Sequence, residues 1–320
     1  MHLDYELEKI QTMAIAGHIR PDGDCVGSCL AVYNYVRAYY PKIDVTVYLE
    51  PIPNIFKFLQ GSETICSTVE DENRTYDLFL VLDCGDVGRI GDFGVLYEKA
   101  KRTLCIDHHV SNRSFADDNL IVPDASSTCE LVYGVLDNDK LTKEIAECIY
   151  TGMVHDTGVF QYSCTSKSTM EIAGDLMELG IDYPAIIDKT FYEKTFAQNK
   201  ILGQALLKSR LFQNGSCIGS VITKEEMEEF HVLPKHLDGI VSQLRITKDV
   251  QVAIFLYELT PGEFKVSTRA KGDMVDLSVI ATKYQGGGHK KAAGFTMSGN
   301  DPWQMISQVS EDVAEQLNRG

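Results

Sequence analysis

The sequence lacks several features that would assign it to a common class of protein. No apolar run approaches the roughly 20 residues that a membrane-spanning helix needs, so we expect no membrane partner. The nine cysteines stand singly, without a C-x-x-C pair, and their odd number argues against a disulfide framework. The acidic, polar start MHLDYELEKI has no apolar core of a secretory signal. These absences predict a cytoplasmic chain with reduced thiols.

Basic residues are also scarce. Lys and Arg number 30 against 46 Asp and Glu, which gives a formal net charge of −16. A long nucleic acid needs a basic track along its backbone, so the composition argues against such a partner. Acidity can reflect a solvated surface, but carboxylates are also the ligands that hard divalent cations prefer. The placement of the aspartates decides between these explanations.

The pattern along the first half predicts an α/β fold with a mainly parallel sheet flanked by helices. Short apolar segments alternate with helical patterns, as in sheets that are covered on both faces. The predicted strands are Met13–Ala16, Val45–Leu49, Leu78–Leu82 and Thr103–Ile106. The predicted helices are Val26–Tyr39, Val95–Lys101, Ser127–Leu136, Lys143–Met153 and Ser168–Leu179.

The second half predicts a smaller α+β domain, since 320 residues exceed what one compact core usually holds. A continuous helical pattern over residues 190–209 is interpreted as the connection. Beyond it we predict strands at Cys217–Ile222, Gln251–Leu256 and Lys265–Thr268, and helices at Leu277–Tyr284 and from Pro302. The chain is therefore divided into residues 1–190, a helical linker at 191–209, and residues 210–320.

The first motif with chemical content follows the first predicted strand and precedes a helix. It reads His18-Ile-Arg-Pro-Asp22-Gly-Asp24, then Gly27-Ser28. Open α/β sheets bind ligands at this position. A turn rich in Pro and Gly would hold Asp residues without any function, but the functional interpretation makes His18, Asp22 and Asp24 metal ligands. A mixed imidazole and carboxylate set suits manganese or a similar first-row ion better than calcium.

Two further motifs also follow predicted strands. Asp83 closes the apolar run Leu78–Leu82, although many strands end in Asp and this alone is weak. Asp107, His108 and His109 follow another strand, and a surface histidine pair is the alternative to a functional one. Neighbouring rings on a loop can serve two partners, so that one binds a metal while the other faces substrate. Asp107 could orient a ring by accepting its second N–H.

The fourth motif, His155-Asp156-Thr157-Gly158, ends a predicted helix. A helix C-cap explains Gly158 without chemistry. Asp156 is mildly unfavourable with the helix dipole, which a cation would compensate. Taken together, the four motifs offer enough ligands for two metal ions about 3.5–4 Å apart, a pair that activates water and stabilises charge on a phosphoryl group. The chain is therefore predicted to be a two-metal phosphoester hydrolase.

The second half carries one local concentration of positive charge, in the segments STRAKG and QGGGHKK. Consecutive glycines let backbone N–H groups approach an anion closely, and Arg and His side chains add charge. A flexible glycine turn is the alternative. The pattern favours a phosphate-binding site, and its residues are Arg269, Gly286, Gly287, Gly288 and His289.

Assembled, these motifs resemble the DHH/DHHA1 phosphoesterase family over nearly the whole chain. The resemblance rests on H-x-x-P-D-G-D-x-x-G-S, Asp83, Asp107-His108-His109, Asp156 and the Gly286–His289 motif. It implies a DHH catalytic, metal-binding domain at residues 1–190 and a DHHA1 substrate-binding domain at 210–320. A chain of this length with both domains looks most like the nanoRNase/pAp phosphatase branch. Members of that branch hydrolyse very short oligoribonucleotides and 3′-phosphoadenosine 5′-phosphate (pAp).

The same resemblance implies a role for each site residue. One manganese ion would be held by His18, Asp22 and Asp83, and a second by Asp24, Asp83, His108 and Asp156. His109 would contact the scissile phosphate, supported by Asp107, and Arg269 and His289 would bind the substrate's phosphate. Gly17 stands where some relatives carry an Asp before the histidine. Magnesium or cobalt in place of manganese, and a homodimer, are compatible with the sequence.

Several alternatives stay open at this point. A cyclic-dinucleotide or linear-dinucleotide phosphodiesterase on the same scaffold is the nearest, although cyclic-dinucleotide hydrolases usually carry extra sensory or membrane segments. A soluble inorganic pyrophosphatase shares the first-domain motifs but lacks the glycine triplet and its histidine. A non-catalytic nucleotide-binding module is the alternative from another class.

Overall fold

The computed structural model describes residues 2–318 and divides into two compact units, residues 1–193 and 194–320. The first unit contains a five-stranded parallel sheet in the order β2-β1-β3-β4-β5. Ile15 of β1 pairs with Val47 of β2 and with Leu80 of β3. The strands are β1 (Thr12–Ala16), β2 (Asp44–Tyr48), β3 (Leu78–Leu82), β4 (Thr103–Asp107) and β5 (Asp118–Ile121).

Helices cover both faces of this sheet, as its continuous apolar strands predict. Met13 and Ile15 point into a core with α2, α4 and α5, whereas Ala14 and Phe79 point into a second core on the opposite face. The helices of the unit are α1 (Asp4–Leu7), α2 (Gly23–Tyr39), α3 (Gly94–Tyr97), α4 (Thr128–Val135), α5 (Lys143–Asp156), α6 (Lys167–Glu178) and α7 (Tyr183–Ile187).

Parallel strands bring the ends of several segments to one edge of the sheet. His18 follows β1 by two residues, Asp83 follows β3 directly, and Asp107 is the last residue of β4. Helix α2 begins directly after the loop that follows β1. The topology therefore gathers the acidic and imidazole residues of separate motifs at the carboxyl edge, where open α/β sheets bind ligands.

The second unit contains a six-stranded mixed sheet in the order β10-β11-β9-β8-β7-β6, in which only β7 and β8 among the described strands are parallel neighbours. The strands are β6 (Arg210–Phe212), β7 (Cys217–Ile222), β8 (Val252–Thr260), β9 (Glu263–Ala270), β10 (Gly287–His289) and β11 (Ala292–Ser298). The helices are α8 (Phe196–Lys208), α9 (Lys224–Glu229), α10 (Ile240–Arg245), α11 (Leu277–Lys283) and α12 (Pro302–Leu317).

The two faces of this second sheet are covered differently. One face packs Ile254 and Val266 against α11 and α12. The other packs Ala253 and Phe255 against α8 and α10, but this core stops at β8. On the same face, the residues of β9, β11 and β10 are partly or fully exposed. The second unit therefore presents an uncovered strip of sheet beside its second core.

The mixed α/β class is confirmed, and most predicted elements are present. Two helical predictions are wrong. The helix predicted to reach Lys101 ends at Tyr97, because Lys101 instead bonds through its backbone to Tyr76. The continuous helix predicted over 190–209 is interrupted, and α8 starts only after Thr195, which caps it. No helix within residues 2–318 combines the length and apolar character needed to cross a membrane. The separate roles of residues 1–190, 191–209 and 210–320 stay predictions.

Candidate active site

His18 lies buried at the carboxyl edge of the first sheet, with its ring orientation fixed by the backbone. The ring Nδ1 lies 2.8 Å from the carbonyl oxygen of Ile19, to which only a protonated nitrogen can donate. The Nε2 atom therefore faces the carboxylates of Asp83 and Asp22, at 3.4 and 3.6 Å. A fixed tautomer with a free nitrogen pointing at carboxylates is the usual arrangement of a metal-binding histidine.

Asp22 and Asp24 are placed by the first turn of α2. One carboxylate oxygen of Asp22 caps the helix by accepting from the backbone N–H groups of Asp24 and Cys25, and the other faces His18. Asp24 is fully buried, and its two oxygens accept from the backbone N–H groups of Thr128 and Cys129, at 2.6 and 2.9 Å. The amino end of α4 therefore holds the Asp24 carboxylate in position.

Asp83 lies at the centre of the cluster and is only 2% exposed. Its backbone adopts a left-handed conformation with φ of 53°, which Asp and Asn tolerate better than most residues. Its Oδ2 lies 3.4 Å from Nε2 of His18, whereas its Oδ1 lies 3.6 Å from Nε2 of His108. Thr128 donates to the same Oδ1. The two oxygens of one carboxylate thus face two separate imidazoles.

His108 joins the cluster from the end of β4, and Asp156 joins it from the end of α5. The Nε2 atom of His108 lies 3.0 Å from an oxygen of Asp156 and 3.8 Å from one of Asp24. Its Nδ1 lies 3.3 Å from the carbonyl oxygen of Ala125, an arrangement that again leaves Nε2 for a ligand. Side chains from the end of α5, from the residue after β4 and from the first turn of α2 therefore converge on one point.

Asp107 and His109 form a separate pair beside the cluster. Nδ1 of His109 donates to Asp107 at 2.7 Å, and the amide of Asn112 donates to the other oxygen of Asp107 at 2.8 Å. Burial raises the pKa of Asp107, but these two hydrogen bonds outweigh burial and lower that pKa overall. His109 is about one-third exposed, and the pKa of its ring is raised, chiefly by Asp107. Asp107 therefore orients His109.

The cluster concentrates negative charge in a buried place. Burial, together with Asp83 and Asp156, raises the pKa of Asp24 well above its usual value. Burial lowers the pKa of His18, but Asp22 and Asp83 outweigh burial and raise it to about 11. Burial also lowers the pKa of His108, but the neighbouring carboxylates, chiefly Asp156, outweigh burial and raise it to about 10. Buried carboxylates in such number need compensating cations.

The donor set fits divalent metal ions. Three groups bring their ligand atoms within 4.8 Å of one another: His18 with Cys25 and Asp83, Asp83 with His108 and His109, and Asp24 with His108 and Asp156. Two of the groups share Asp83, and two share His108. Imidazole and carboxylate ligands suit first-row divalent ions. The structure thus brings together every predicted metal ligand, while their assignment to individual ions stays a prediction.

Sequence reasoning missed three contributors to the site. Asn112 fixes Asp107, the backbone of Thr128 and Cys129 holds Asp24, and Cys25 belongs to one ligand group. The start of the helix that holds Asp24 could have been predicted from the sequence, because Ser127 followed three residues later by Glu130 is an N-cap signature. Nothing in the local pattern distinguishes Asn112 or Cys25.

In the second unit, Arg269 and His289 lie in one row across the uncovered strip of sheet. His289 pairs with Ala292, and Ala292 pairs with Arg269, in antiparallel registers. Directly opposed residues point to the same face of a sheet. Only the small side chain of Ala292 lies between the two basic residues in this row. The structure therefore places both on one face, with Arg269 half-buried and His289 exposed.

The glycine triplet is not a loop, because Gly287 and Gly288 belong to the edge strand β10 and Gly286 directly precedes it. A Cβ atom on Gly286 would lie 2.4 Å from the carbonyl oxygen of Gly294, and one on Gly288 would lie 2.5 Å from that of Ala292. Gly288 also has a φ of 143°, a conformation that side chains rarely adopt. A Cβ on Gly287 would meet no atom within 4 Å. Packing requires two glycines, and the middle one opens onto the strip.

A small cavity of about 80 Å³ adjoins Arg269 within the second unit. Asp238, Ser242 and Tyr257 contribute polar groups to its lining, and Ser267 adds another from β9. Burial raises the pKa of Asp238, although the positive charges of Lys194 and Arg269 oppose this. The neighbourhood of Arg269 is therefore polar and contains both charge signs.

Comparisons with known proteins agree with this geometry. The family model for the DHH family, N-terminal domain, matches residues 12–153, and the model for the DHHA1 domain matches residues 214–319. The bifunctional oligoribonuclease and PAP phosphatase NrnA of Thermus thermophilus is 29% identical, over 95% of this chain and 90% of its own. The protein of the same name from Bacillus subtilis is also 29% identical, over 94% and 93%.

A solved structure shows the same architecture over nearly the whole length. The crystal structure of an exopolyphosphatase-related protein from Bacteroides fragilis superposes with a TM-score of 0.85 and 27% sequence identity, covering 98% of this chain and 96% of that one. The two family models together match most of the chain. The protein is therefore a member of the DHH/DHHA1 phosphoesterase family.

Proposed function

We propose that this protein is a manganese-dependent enzyme that hydrolyses very short oligoribonucleotides and pAp. The observation that carries the proposal is the position of Asp83, whose two buried oxygens face His18 on one side and His108 on the other. One carboxylate with two separate ligand sets is what a pair of bridged metal ions requires. The names of the Thermus and Bacillus relatives support the substrate class.

In this proposal, His18, Asp22 and Asp83 hold one manganese ion, and Asp24, Asp83, His108 and Asp156 hold the other. Magnesium or cobalt satisfies the same donor set. When bound, such a pair lowers the pKa of a water molecule and offsets the charge that develops on the phosphoryl group. Because the cluster's imidazoles have raised pKa values, metal binding displaces protons, and metal affinity falls as the pH is lowered.

His109 contacts the phosphoryl group of the substrate, and Asp107 positions the ring of His109. The Nδ1 of His109 is committed to Asp107, so Nε2 is the ring atom that hydrogen-bonds a phosphoryl oxygen. Asn112 holds Asp107 from the other side, which prevents the pair from rotating away. A pre-oriented donor costs no reorganisation during the reaction, and this is the main advantage of such an arrangement.

The second unit binds the nucleotide through Arg269, His289 and the backbone at Gly286, Gly287 and Gly288. A guanidinium forms charge-assisted hydrogen bonds with phosphate, and an exposed glycine lets a nucleotide approach the backbone. Positive charge is concentrated here in a chain of net charge −16, so only one or a few substrate phosphates are neutralised. We therefore expect short substrates rather than long nucleic acids. The proposal also includes a cytoplasmic location and is compatible with a homodimer.

A substrate panel with the full chain and manganese tests this function. The panel contains a dinucleotide, RNAs of about 5 and about 24 nucleotides, pAp, cyclic di-AMP and pyrophosphate. We expect the highest kcat/KM for the dinucleotide, the 5-nucleotide RNA and pAp, and a weak dependence on salt because few phosphates are contacted. Cyclic di-AMP or pyrophosphate as the best substrate would contradict the proposal. Equal efficiency on 24 nucleotides would indicate a long-strand nuclease.

A further inference from the structure

Cys25 lies within the ligand cluster, but its thiol belongs to neither of the ligand sets proposed for manganese. Its Sγ, the ring of His18 and the carboxylate of Asp83 offer ligand atoms within 4.8 Å of one another, and all three residues are buried. Cys25 belongs to the first turn of α2, directly after Asp24. Three different donor types, imidazole nitrogen, carboxylate oxygen and thiol sulfur, therefore meet on the His18 side of the cluster.

The position of this sulfur depends on the absence of a side chain at Gly17. A Cβ atom on Gly17 would lie 2.2 Å from Sγ of Cys25, far inside van der Waals contact. The same Sγ lies 3.9 Å from the carbonyl oxygen of His18. Gly17 and Cys25 therefore act as a pair, in which the glycine leaves the space beside β1 that the thiol fills.

The ring of His18 brings charged groups to this side of the cluster, which is therefore not a purely apolar core. Its side chain is 5% exposed, and Nδ1 is committed to the carbonyl of Ile19. Its Nε2 therefore faces Asp83 and Asp22 at 3.4 and 3.6 Å without an intervening group. Two carboxylates that meet at one buried ring nitrogen need a positive charge among them, and a metal ion that replaces the ring proton supplies it.

We propose that Cys25 makes the His18 side of the cluster a mixed nitrogen, oxygen and sulfur site that prefers thiophilic divalent cations, such as Zn²⁺ and Cd²⁺, to Mn²⁺. This inference rests on the proposed function, in which His18 and Asp83 hold a metal ion. When a thiophilic ion binds, the thiol loses its proton to solvent and Sγ donates an electron pair to the ion. Manganese, a harder ion, uses His18 and the carboxylates and gains little from sulfur.

Cadmium titration of the full-length protein tests the proposal directly. The half-buried Cys66 and Cys164 are first replaced by serine, because partly exposed thiols bind cadmium on their own. Bound cadmium is counted by equilibrium dialysis, and the ultraviolet charge-transfer band of a cadmium–thiolate bond is recorded. Cys25→Ser is compared with Cys29→Ser, which removes an equally buried thiol one helical turn away that belongs to none of the ligand groups.

We expect the charge-transfer band in the parent protein and in Cys29→Ser, and its loss in Cys25→Ser. Cadmium affinity should fall at least about tenfold in Cys25→Ser, while manganese affinity changes less than about threefold. X-ray absorption of the zinc-loaded parent protein provides a measurement that needs no variant at this position. A sulfur neighbour at about 2.3 Å from zinc is expected there.

Cadmium that binds without the band, or a band that persists in Cys25→Ser, would overturn the proposal and leave Cys25 as a packing residue. Zinc surrounded only by nitrogen and oxygen at about 2.0–2.1 Å would do the same. A parent protein that binds neither manganese nor cadmium would instead contradict the proposed function, so the two failures are distinguishable.

Discussion

The candidate sites in the two units are built on opposite principles. The cluster around Asp83 is buried, crowded with ionisable groups, and held by strand ends and the amino end of a helix. The strip around Arg269 is partly exposed and lined by glycine, alanine and serine, so little covers its backbone. The first site is defined by the side chains that converge there, and the second by side chains that are small or missing.

This difference predicts which measured property changes when each site is altered. Removing a group from the buried cluster unbalances charge that cannot be solvated, so metal content and catalysis should fail together. Removing a group from the exposed strip costs one substrate contact that water can partly replace, so substrate affinity should change while metal content stays normal. Four predictions test whether the two sites are separable in this way.

The largest effect is expected for Asp83→Asn. Asparagine tolerates the left-handed backbone at this position, so the change removes charge with little strain. Removing a residue that only supports a metal ligand typically lowers metal affinity or activity by about 10- to 100-fold. Removing a ligand shared by two ions should therefore lower kcat/KM and metal affinity by more than that. Asp77→Asn, at the opposite end of β3, serves as the control and should keep its metal. Activity within tenfold of the parent would exclude a bridging role for Asp83.

Arg269→Ala and His289→Ala should each raise KM for nucleotide substrates by about 10- to 150-fold. This range corresponds to a lost charge-assisted hydrogen bond of about 1.5–3 kcal/mol. Metal content measured by elemental analysis should not change. Arg210→Ala is the control, because Arg210 stacks on Trp303 at the other edge of the same sheet. A fall in bound metal would show that the two sites are not independent.

Asn112→Ala should lower kcat by about tenfold or somewhat more, because His109 loses its fixed support. The change removes the donor that Asn112 supplies to Oδ2 of the buried Asp107 and to the carbonyl of Cys84, which costs about 1–3 kcal/mol of stability. Kinetics measures the loss of kcat and thermal unfolding measures the loss of stability. Metal content is measured in the same samples to show that the metal ions are still bound. Asn119→Ala removes two local hydrogen bonds, both with the backbone of Ala116, and should keep its kcat. Unchanged kcat in Asn112→Ala would refute the positioning role.

The smallest effect on activity is expected for Gly287→Ala. A methyl group there meets no atom within 4 Å, so the fold should tolerate it and KM should rise only a few-fold as the strip narrows. Gly288→Ala would place its Cβ against the backbone of Ala292 and Ala293, so its melting temperature should fall. If Gly287→Ala destabilised the protein as much as Gly288→Ala, packing rather than substrate access would explain the whole triplet.

The sequence was most informative where chemistry coincides with the end of a regular element. Buried strands such as Leu78–Leu82 are recognisable because both faces are covered, and Asp83 stands out as the residue that ends one. Strand β5 was missed because its residues DNLI are only half-buried and carry no alternating pattern. The strands β10 and β11 were missed because glycine and alanine, which open the strip, also remove the usual strand signature.

Contacts made across the fold could not be predicted in the same way. The backbone of Thr128 and Cys129 reaches Asp24 over more than a hundred residues of sequence. The sequence marks the start of that helix at Ser127, but it does not show that Asp24 is the partner of the helix end. Asn112 and Cys25 are ordinary residues in their own segments, and only tertiary structure brings them to Asp107 and His18. Side chains that bind ligands were easier to predict than the groups that hold them in position.

The most direct test of a bridged pair of ions is electron paramagnetic resonance of the manganese-loaded protein, with bound metal counted in the same samples. The account predicts two ions per chain and a spin-coupled spectrum, since ions that share a carboxylate lie about 3.5–4 Å apart. In Asp83→Asn it predicts loss of the coupled signal and of bound metal. A single uncoupled ion in the parent protein, or a coupled pair that survives in Asp83→Asn, would contradict the account.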